Sequence, residues 1–340
     1  MKQFFSFQWH ITDECDQRCK HCYIFSGGDK KIECMNFPQM EKTLENCLDF
    51  CKTFDRIPHF YITGGDPILH ENFWDLLSVL HQKEISFSIL GNPFHLTDEI
   101  CRRLKNSGCE KYQLSLDGLR ETHDWFRKKG SFDATIEKIP LIKNAGIQCV
   151  IMSTVSDKNI DEIPSLMDFV VEKKADVFAF ARFCPVNSGS NGISPERYRN
   201  FLHECDEKIR GYGENCETYF CKKDHLWTLY DFENKKFEIP RDAEKGMIYD
   251  GCNCGNCHLT ILPSGDVLAC RRIPSSKVGS VFCGKLSDLW LNQMEKFREF
   301  EKFEKCSQCE LLAWCRGCPA VSYGTTGNFY GSDPQCWKKI

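Results

Sequence analysis

The chain has no surplus of basic charge: 44 Lys and Arg stand against 48 Asp and Glu, a formal net charge of −4 over 340 residues. Broad binding to phosphate backbones needs such a surplus, so nucleic acid is not expected as a partner. No run of 18 apolar residues occurs, which argues against a spanning helix and a membrane partner. The opening MKQFFSFQWHITDEC has too short an apolar stretch and meets Asp13 and Glu14 too soon for a secretory signal, so the expected location is cytoplasmic. With 41% hydrophobic and 27% charged residues the chain also lacks the bias of disordered or fibrous proteins. A sizeable core is available, and this length suits a main domain of about 200 residues with a smaller one beside it.

What is abundant is cysteine, with 23 residues. An odd number in a reducing compartment argues against a disulfide framework and for metal or redox chemistry.

Organisation follows from periodicity. Strands are expected at 4–12, 59–63, 86–90, 111–116, 147–155 and 176–183. Helices are expected near 38–54, 70–83, 97–107, 131–145 and 159–174. Thr97 ahead of Asp98 and Glu99, and the stretch Asp157 to Asp161, read as helix-capping signals. Strand followed by helix, repeated six times, predicts a parallel α/β unit with its chemistry in the loops at the carboxyl ends of strands. A further helix is expected over 194–212, opened by Ser194 and Pro195. Residues 213–250 read as a connecting region. From 251 to 340 the cysteines cluster and apolar runs are few, so metal is expected to staple this segment. The expected domains are therefore 1–212, 213–250 and 251–340.

Three strand-end loops carry the front of the chain. CDQRCKHC places Cys15, Cys19 and Cys22 directly after the first strand, where three thiolates can hold a four-iron cluster and leave one iron without a protein ligand. Gly64, Gly65, Asp66 and Pro67 end the second strand; paired glycines let a backbone approach a ligand closely, although such a loop also serves as a plain turn. Ser115 to Gly118, SLDG, ends the fourth strand, with a polar helix cap as its plainer reading.

In this order the three loops resemble the radical S-adenosylmethionine (SAM) superfamily, over roughly residues 4–183. The resemblance implies a partial (β/α)6 barrel, a SAM-binding [4Fe–4S] cluster on Cys15, Cys19 and Cys22, and reductive cleavage of SAM to a 5′-deoxyadenosyl radical. It further implies contact of the Gly64–Pro67 loop with the SAM amino group, His21 near the adenine, and Ser115 and Asp117 near the ribose or methionyl end. An electron donor such as flavodoxin or ferredoxin is implied as a partner.

The tail reads GCNCGNC (251–257), a Gly265-to-Cys270 GxxxxC spacing, CSQCELLAWCRGC (306–318) and a last Cys336. Cys254 to Cys257, Cys306 to Cys309 and Cys315 to Cys318 each have the spacing of a zinc knuckle, but Cys270 and Cys336 stand outside any such pair. A non-enzymatic zinc-binding adaptor is the alternative this leaves. The arrangement resembles the SPASM domain of radical SAM enzymes, which holds two auxiliary [4Fe–4S] clusters, making three clusters in all. By that resemblance one auxiliary cluster uses Cys252, Cys257, Cys270 and Cys318, and the other Cys306, Cys309, Cys315 and Cys336. Cys254 is an extra thiol able to displace Cys252 or Cys257, and Cys315 and Cys318 are one residue closer together than the pattern has it. The remaining cysteines (34, 47, 51, 101, 109, 149, 184, 205, 216, 221, 283) read as small buried hydrophobes. Cys184 could also face the barrel mouth in a catalytic role, and Arg182 could meet a substrate carboxylate or form a structural ion pair.

The sulfatase-maturing pattern places an Asp after the GxxxxC cysteine, whereas Arg271 and Arg272 follow Cys270 here. CRRIP and the ending CRGCPAVSYGTTGNFYGSDPQCW look more like maturases of ribosomally made, post-translationally modified peptides, in short forms paired with small Cys-rich precursor peptides. This implies hydrogen abstraction from the peptide and a thioether, sulfur-to-carbon crosslink. Peptide excision and small-molecule chemistry share these motifs; another peptide modification stays an alternative, as does sulfatase maturation, which the two arginines weaken. Arg271 and Arg272 are available to an acidic leader or core, or sit as solvated surface residues. Fourteen residues precede Cys15, too few for a leader-recognition fold of about a hundred residues. A separate leader-recognition protein is one expectation, and leader binding by the barrel and tail is the other.

Overall fold

The computed structural model describes residues 3–25, 31–186, 192–244 and 246–340. Strand and helix alternate as the periodicity predicts: β1 (Gln3–Thr12), α1 (Phe37–Thr53), β2 (Arg56–Gly64), α2 (Phe73–Gln82), β3 (Phe87–Leu90), α3 (Asp98–Asn106), β4 (Cys109–Ser115), α4 (Arg120–Phe126), α5 (Ser131–Asn144), β5 (Gln148–Val155), α6 (Ile163–Glu172), β6 (Val177–Arg182) and α7 (Pro195–Gly211). After them come β7 (Tyr219–Cys221), α8 (Leu226–Glu233), β8 (His258–Ile261), β9 (Asp266–Leu268), β10 (Lys277–Ser280), α9 (Leu286–Asn292) and α10 (Pro319–Thr326). No helix among the described residues is long and apolar enough to cross a membrane.

The chain divides into two compact units. The first comprises Met1–Leu116, His123–Ile151 and Cys254–Arg298, the second Asp117–Thr122, Met152–Asn253 and Glu299–Ile340.

In the first unit the strand order is β10-β9-β8-β1-β2-β3-β4. β1 to β4 run parallel, and β8 lies parallel to the outer side of β1 before turning back antiparallel into β9 and β10. Burial along FFSFQWHI alternates at first, with Phe4 exposed and Ser6 and Gln8 half-exposed, and becomes continuous from Trp9 to Thr12. Phe5, Phe7, Trp9 and Ile11 are all buried, each contributing about 2 kcal/mol of apolar burial. Trp290 of α9 meets Phe5 and Phe50 edge-on, with ring centroids at 5.0 and 5.6 Å. Asn46 of α1 ties the same segment down: its Nδ2 donates to the carbonyls of Val281 and Gly284, and its Oδ1 accepts from the Leu286 amide.

In the second unit β6 pairs in parallel with β7, Val177 opposite Tyr219. Phe180 packs against Phe201 and Trp227 at centroid distances of 5.0 and 5.9 Å.

The caps are partly those expected. Thr97 accepts from the Ile100 amide and Ser194 from the Arg197 amide, each at 3.2 Å. The acids of 157–161 do not cap α6, whose N-cap Glu162 makes no side-chain capping bond and instead accepts from the Leu119 amide and the Thr122 hydroxyl; Asn159 accepts from the Ser156 amide and closes the turn before it. The uniform reading of the leftover cysteines also needs correction. Cys47, Cys51, Cys101, Cys109, Cys149, Cys184 and Cys205 are buried, but Cys34 and Cys283 are exposed and Cys216 and Cys221 half-exposed. Cys34, Cys216 and Cys283 lie outside the helices and named strands, and Cys221 ends the three-residue β7.

Candidate active site

In the first unit the loops after β1, β2 and β3 meet. The Gly65 amide donates to the Thr12 carbonyl at 2.8 Å and the Asp66 amide to the Glu14 carbonyl at 2.7 Å. A Cβ on Gly64, at φ +151°, would lie 2.1 Å from the Thr12 oxygen, and one on Gly65 would lie 2.0 Å from the Glu14 oxygen. The glycine pair is therefore required by the close approach of the chain's own cysteine loop, a partner that sequence reasoning did not identify. Pro67 then starts a single helical turn, Pro67–Leu69.

Asp66 is fully buried. Burial pushes its carboxyl up to about 7, partly opposed by the Asn92 amide and aided by the neighbouring Asp16. Its Oδ1 accepts from the Asn92 amide at 3.4 Å, while Oδ2 has no hydrogen-bond partner. Oxygens of Asp16 and Asp66 and a ring nitrogen of His95 all lie within 4.8 Å of one another. Two carboxylates and an imidazole this close invite a cation.

Asn92 joins the pieces. Its Nδ2 donates to Asp16 Oδ1 at 2.9 Å and to Cys15 Sγ at 3.3 Å, and its carbonyl accepts from the Tyr112 hydroxyl at 3.1 Å. The Gln17 amide also donates to Cys15 Sγ, and Arg127 Nη1 to Cys19 Sγ. Burial raises the Cys15 thiol, and the Gln17 and Asn92 donors offset part of that. His21 is half-exposed and meets Phe126 edge-on at 5.0 Å. Asn92 is not among the residues that the sequence motifs single out.

Ser115 ends β4 in the first unit, half-buried. Asp117 belongs to the second unit, where its Oδ1 accepts from the Thr154 amide at 2.8 Å and its carbonyl from Asn159 Nδ2 at 2.8 Å. Arg182, also in the second unit, is fully buried: Nε bonds Asp224 Oδ2 at 2.9 Å, Nη1 and Nη2 grip both Asp333 oxygens at 2.6 and 2.8 Å, and Nη1 also reaches Gln335 Oε1. This is the structural ion pair that stood as the alternative to a substrate contact. Asp333 Oδ2 in turn accepts from the Cys318 amide at 2.7 Å, so the guanidinium fixes the turn that carries Cys318. Cys184 is buried and its thiol is hydrogen-bonded to that of Cys318.

The tail cysteines divide between the units. Cys254, Cys257 and Cys270 lie in the first, and Cys252, Cys306, Cys309, Cys315, Cys318 and Cys336 in the second. Burial pushes Cys306 up to about 12, with Cys336 and Cys309 adding repulsion. Cys315 is raised chiefly by burial and further by Cys306 and Cys336. These thiols are close enough to oppose one another's ionisation. His225 lies beside Cys252: burial disfavours its charged form, but a hydrogen bond to Cys252 and the charges of Cys252, Cys318 and Asp224 carry it to about 8.

The comparisons with known proteins agree with this geometry. Residues 9–170 match the radical SAM superfamily model, and residues 252–319 match the SPASM iron–sulfur cluster-binding domain. The chain is a radical SAM/SPASM enzyme. It is 25% identical over 349 residues to an AdoMet-dependent heme synthase of Methanosarcina barkeri, covering 96% of this chain and 95% of that protein. It is 26% identical over 338 residues to the mycofactocin maturase MftC of Mycolicibacterium smegmatis, covering 96% and 81%. Its fold matches Streptococcus suis SuiB in a SAM-bound structure (TM-score 0.76, 21% identity, 99% of this chain and 78% of that one). The same protein bound to its precursor peptide SuiA gives a TM-score of 0.75 at 22% identity, covering 99% and 77%. The enzyme's architecture is accordingly the α/β partial barrel with a parallel sheet, followed by a SPASM domain with antiparallel strands, and its cofactors are SAM and [4Fe–4S] clusters that include auxiliary ones. The residues fit these groups: amide and guanidinium donors point at the sulfurs of Cys15 and Cys19, and the unsatisfied oxygen of buried Asp66 suits a bound ammonium.

Proposed function

We propose that the enzyme matures a ribosomally made, Cys-rich precursor peptide by forming thioether crosslinks. The observation that carries this reading is whole-chain similarity to a named maturase, together with the fold shared with a protein bound to its precursor peptide. When bound, the cluster and SAM supply a 5′-deoxyadenosyl radical that removes a hydrogen atom from a peptide carbon.

The chain's own residues hold and shield that chemistry. Cys15, Cys19 and Cys22 are the ligands of the SAM-site cluster, leaving one iron for SAM. Asp66 takes the SAM ammonium, and the backbone of Gly64, Gly65 and Pro67 holds Asp66 in place. By the family resemblance His21 would serve the adenine, and Ser115 and Asp117 the ribose or methionyl end. Cys306, Cys309, Cys315 and Cys336 hold an auxiliary cluster. Cys252 and Cys318 of the second unit, and Cys257 and Cys270 of the first, are further auxiliary-cluster ligands, with Cys254 able to replace Cys252 or Cys257, for three clusters in all. Cys184, hydrogen-bonded to Cys318, is a further candidate for a catalytic role, while Arg182 acts through Asp333 and touches no substrate. A flavodoxin or ferredoxin supplies electrons, and a separate small protein presents the leader.

The test is the mass of a short Cys-rich precursor peptide after anaerobic incubation with the reconstituted enzyme, SAM and dithionite. Loss of two hydrogens per crosslink, with the affected thiols resistant to alkylation, is expected. A larger loss means excision, and an unchanged peptide overturns the reading. One second reading is favoured by a specific observation: the heme synthase relative is covered over 95% of its length. Conversion of an iron porphyrin under the same conditions, followed by its absorbance, would establish that reading instead.

A further inference from the structure

Arg271 takes the place after the GxxxxC cysteine where the sulfatase-maturing pattern has an acid. In the first unit this side chain is not a solvated surface arginine. Its guanidinium carbon lies 3.3 Å from the centroid of the Tyr23 ring. Its Nε and Nη2 are closed off from solvent and have no hydrogen-bond partner. Those two nitrogens form the side-on edge of the guanidinium, whose parallel N–H bonds match the two oxygens of a carboxylate. Stacking on Tyr23 fixes the plane of that fork. Dry, unpaired donors on a cation are strongly unfavourable unless an anion meets them.

The neighbourhood places the fork at the chemistry. Tyr23 follows directly on Cys22, and Arg271 on Cys270. Cys22, Cys270 and the buried Asp13 all lie within electrostatic range of the guanidinium. None of them bonds to Nε or Nη2, and a single sulfur could not engage both parallel donors as a carboxylate does.

We propose that the Nε and Nη2 edge of Arg271 receives a carboxylate of the substrate beside the Cys15–Cys22 loop. This deepens the reading above, on which it rests for the presence of a substrate at that loop, by naming the group the substrate must carry: an acidic side chain or a chain-terminal carboxylate. A neutral amide offers one acceptor oxygen and no charge, so it satisfies the fork only in part. Arg271 is thus a specificity-determining residue.

The experiment is a titration of carbon-13 acetate into the reconstituted enzyme under anaerobic conditions, following acetate relaxation by nuclear magnetic resonance in the wild type, Arg271→Lys and Arg271→Gln. Saturable relaxation enhancement is expected in the wild type. The apparent affinity should fall at least about tenfold in Arg271→Gln and less in Arg271→Lys, which keeps the charge without the fork. Equal enhancement in all three proteins overturns the proposal, as does a wild type with no saturable response. A shifted cluster reduction potential with unchanged acetate binding also overturns it and assigns the guanidinium to the charge of the iron–sulfur centre. Iron and sulfide contents are measured on each variant; should Arg271→Gln fail to load its clusters, Arg271→Lys carries the comparison. Acetate requires no peptide, so a positive titration beside an unchanged precursor peptide overturns the peptide reading alone.

Discussion

The sulfurs of the amino-terminal loop and those of the second unit's tail share burial as the leading influence and differ in what else surrounds them. At Cys15 and Cys19, side-chain and backbone donors reach the sulfur and leave the buried acid Asp66 with an oxygen unsatisfied. At Cys306 and Cys315 thiols crowd other thiols, and one donor, the Gly317 amide, reaches Cys315. The first arrangement holds sulfur while keeping polar groups ready for an exchangeable cosubstrate. The second, where thiols crowd one another, suits the proposed resident centre that never exchanges a ligand.

The sharpest way to break this comparison is to delete one sulfur from each region. Cys19→Ala should reduce 5′-deoxyadenosine formation by about 100-fold or more, since even outer-sphere changes weaken metal sites by 10- to 100-fold. Cys309→Ala should leave deoxyadenosine formation largely intact while abolishing any two-hydrogen mass loss in the peptide. Both are read by chromatography of the same anaerobic reaction. Equal loss of deoxyadenosine in the two variants would erase the functional distinction between the regions.

Next in size are the two packing devices. Arg182→Ala strands Asp224 and Asp333 in a dry core and should lower stability by about 3–5 kcal/mol in denaturant titrations. Gly65→Ala sets a methyl group 2.0 Å from the Glu14 oxygen, so the loop after β2 must move off the cysteine loop. Its expected signature is loss of SAM binding with the second unit still folded. Arg182→Ala should disturb the tail first and be seen as lost auxiliary iron.

The legibility of the sequence followed the same division. β1 to β6 and their helices were readable because parallel strands and amphipathic helices have strong periods, and Thr97 and Ser194 cap as their residue types predict. α4, β7 and α8 were not read. RETHDWF has no apolar stripe, YFC is only three residues long, and LWTLYDFE was hidden among charged residues. α8 has no side-chain cap at its N-cap His225; Asp224 Oδ1 accepts from the Leu226 amide at 3.1 Å in a turn one residue earlier. No local pattern told that the hairpin of β8 and β9 continues the sheet at β1, because register with a distant strand is a tertiary choice. At the site, the need for glycine at 64 and 65 was legible, but its cause was not: the close partner is the backbone of Thr12 and Glu14.

A smaller effect tests Asp66. Its carboxyl titrates near 7 in the folded protein against an ordinary value of 3.8, so the folded state retains a proton that the unfolded state has released. Without SAM, stability should therefore fall as pH rises from about 4 to about 7 and stay lowered above that. Asp66→Asn cannot ionise and escapes this fall. Above pH 7 it should be the more stable protein by at most about 4 kcal/mol, an advantage that vanishes near pH 4. Thermal melts across this range check the sign. SAM affinity should move the other way, weakening in Asp66→Asn because the ammonium loses its counter-charge.

The smallest expected effect belongs to Asn92, and it tests the polar character of the front loop most directly. Asn92→Ala removes the 3.3 Å bond to Cys15 Sγ and the 2.9 Å bond to Asp16 while keeping the backbone amide that faces Asp66. Losing one N–H donor to a ligand sulfur leaves more negative charge on the cluster, so its reduction potential should fall. Stability should drop by only about 1 kcal/mol, the net worth of such a bond. The Asp66 environment should be unchanged, because the backbone amide stays. Asn92→Asp should lower the potential further, replacing a donor by an anion beside Asp16. Electron paramagnetic resonance of the reduced cluster, read against a potential titration, separates the two variants. Identical potentials in the wild type and both variants would mean that the donors around Cys15 serve packing alone.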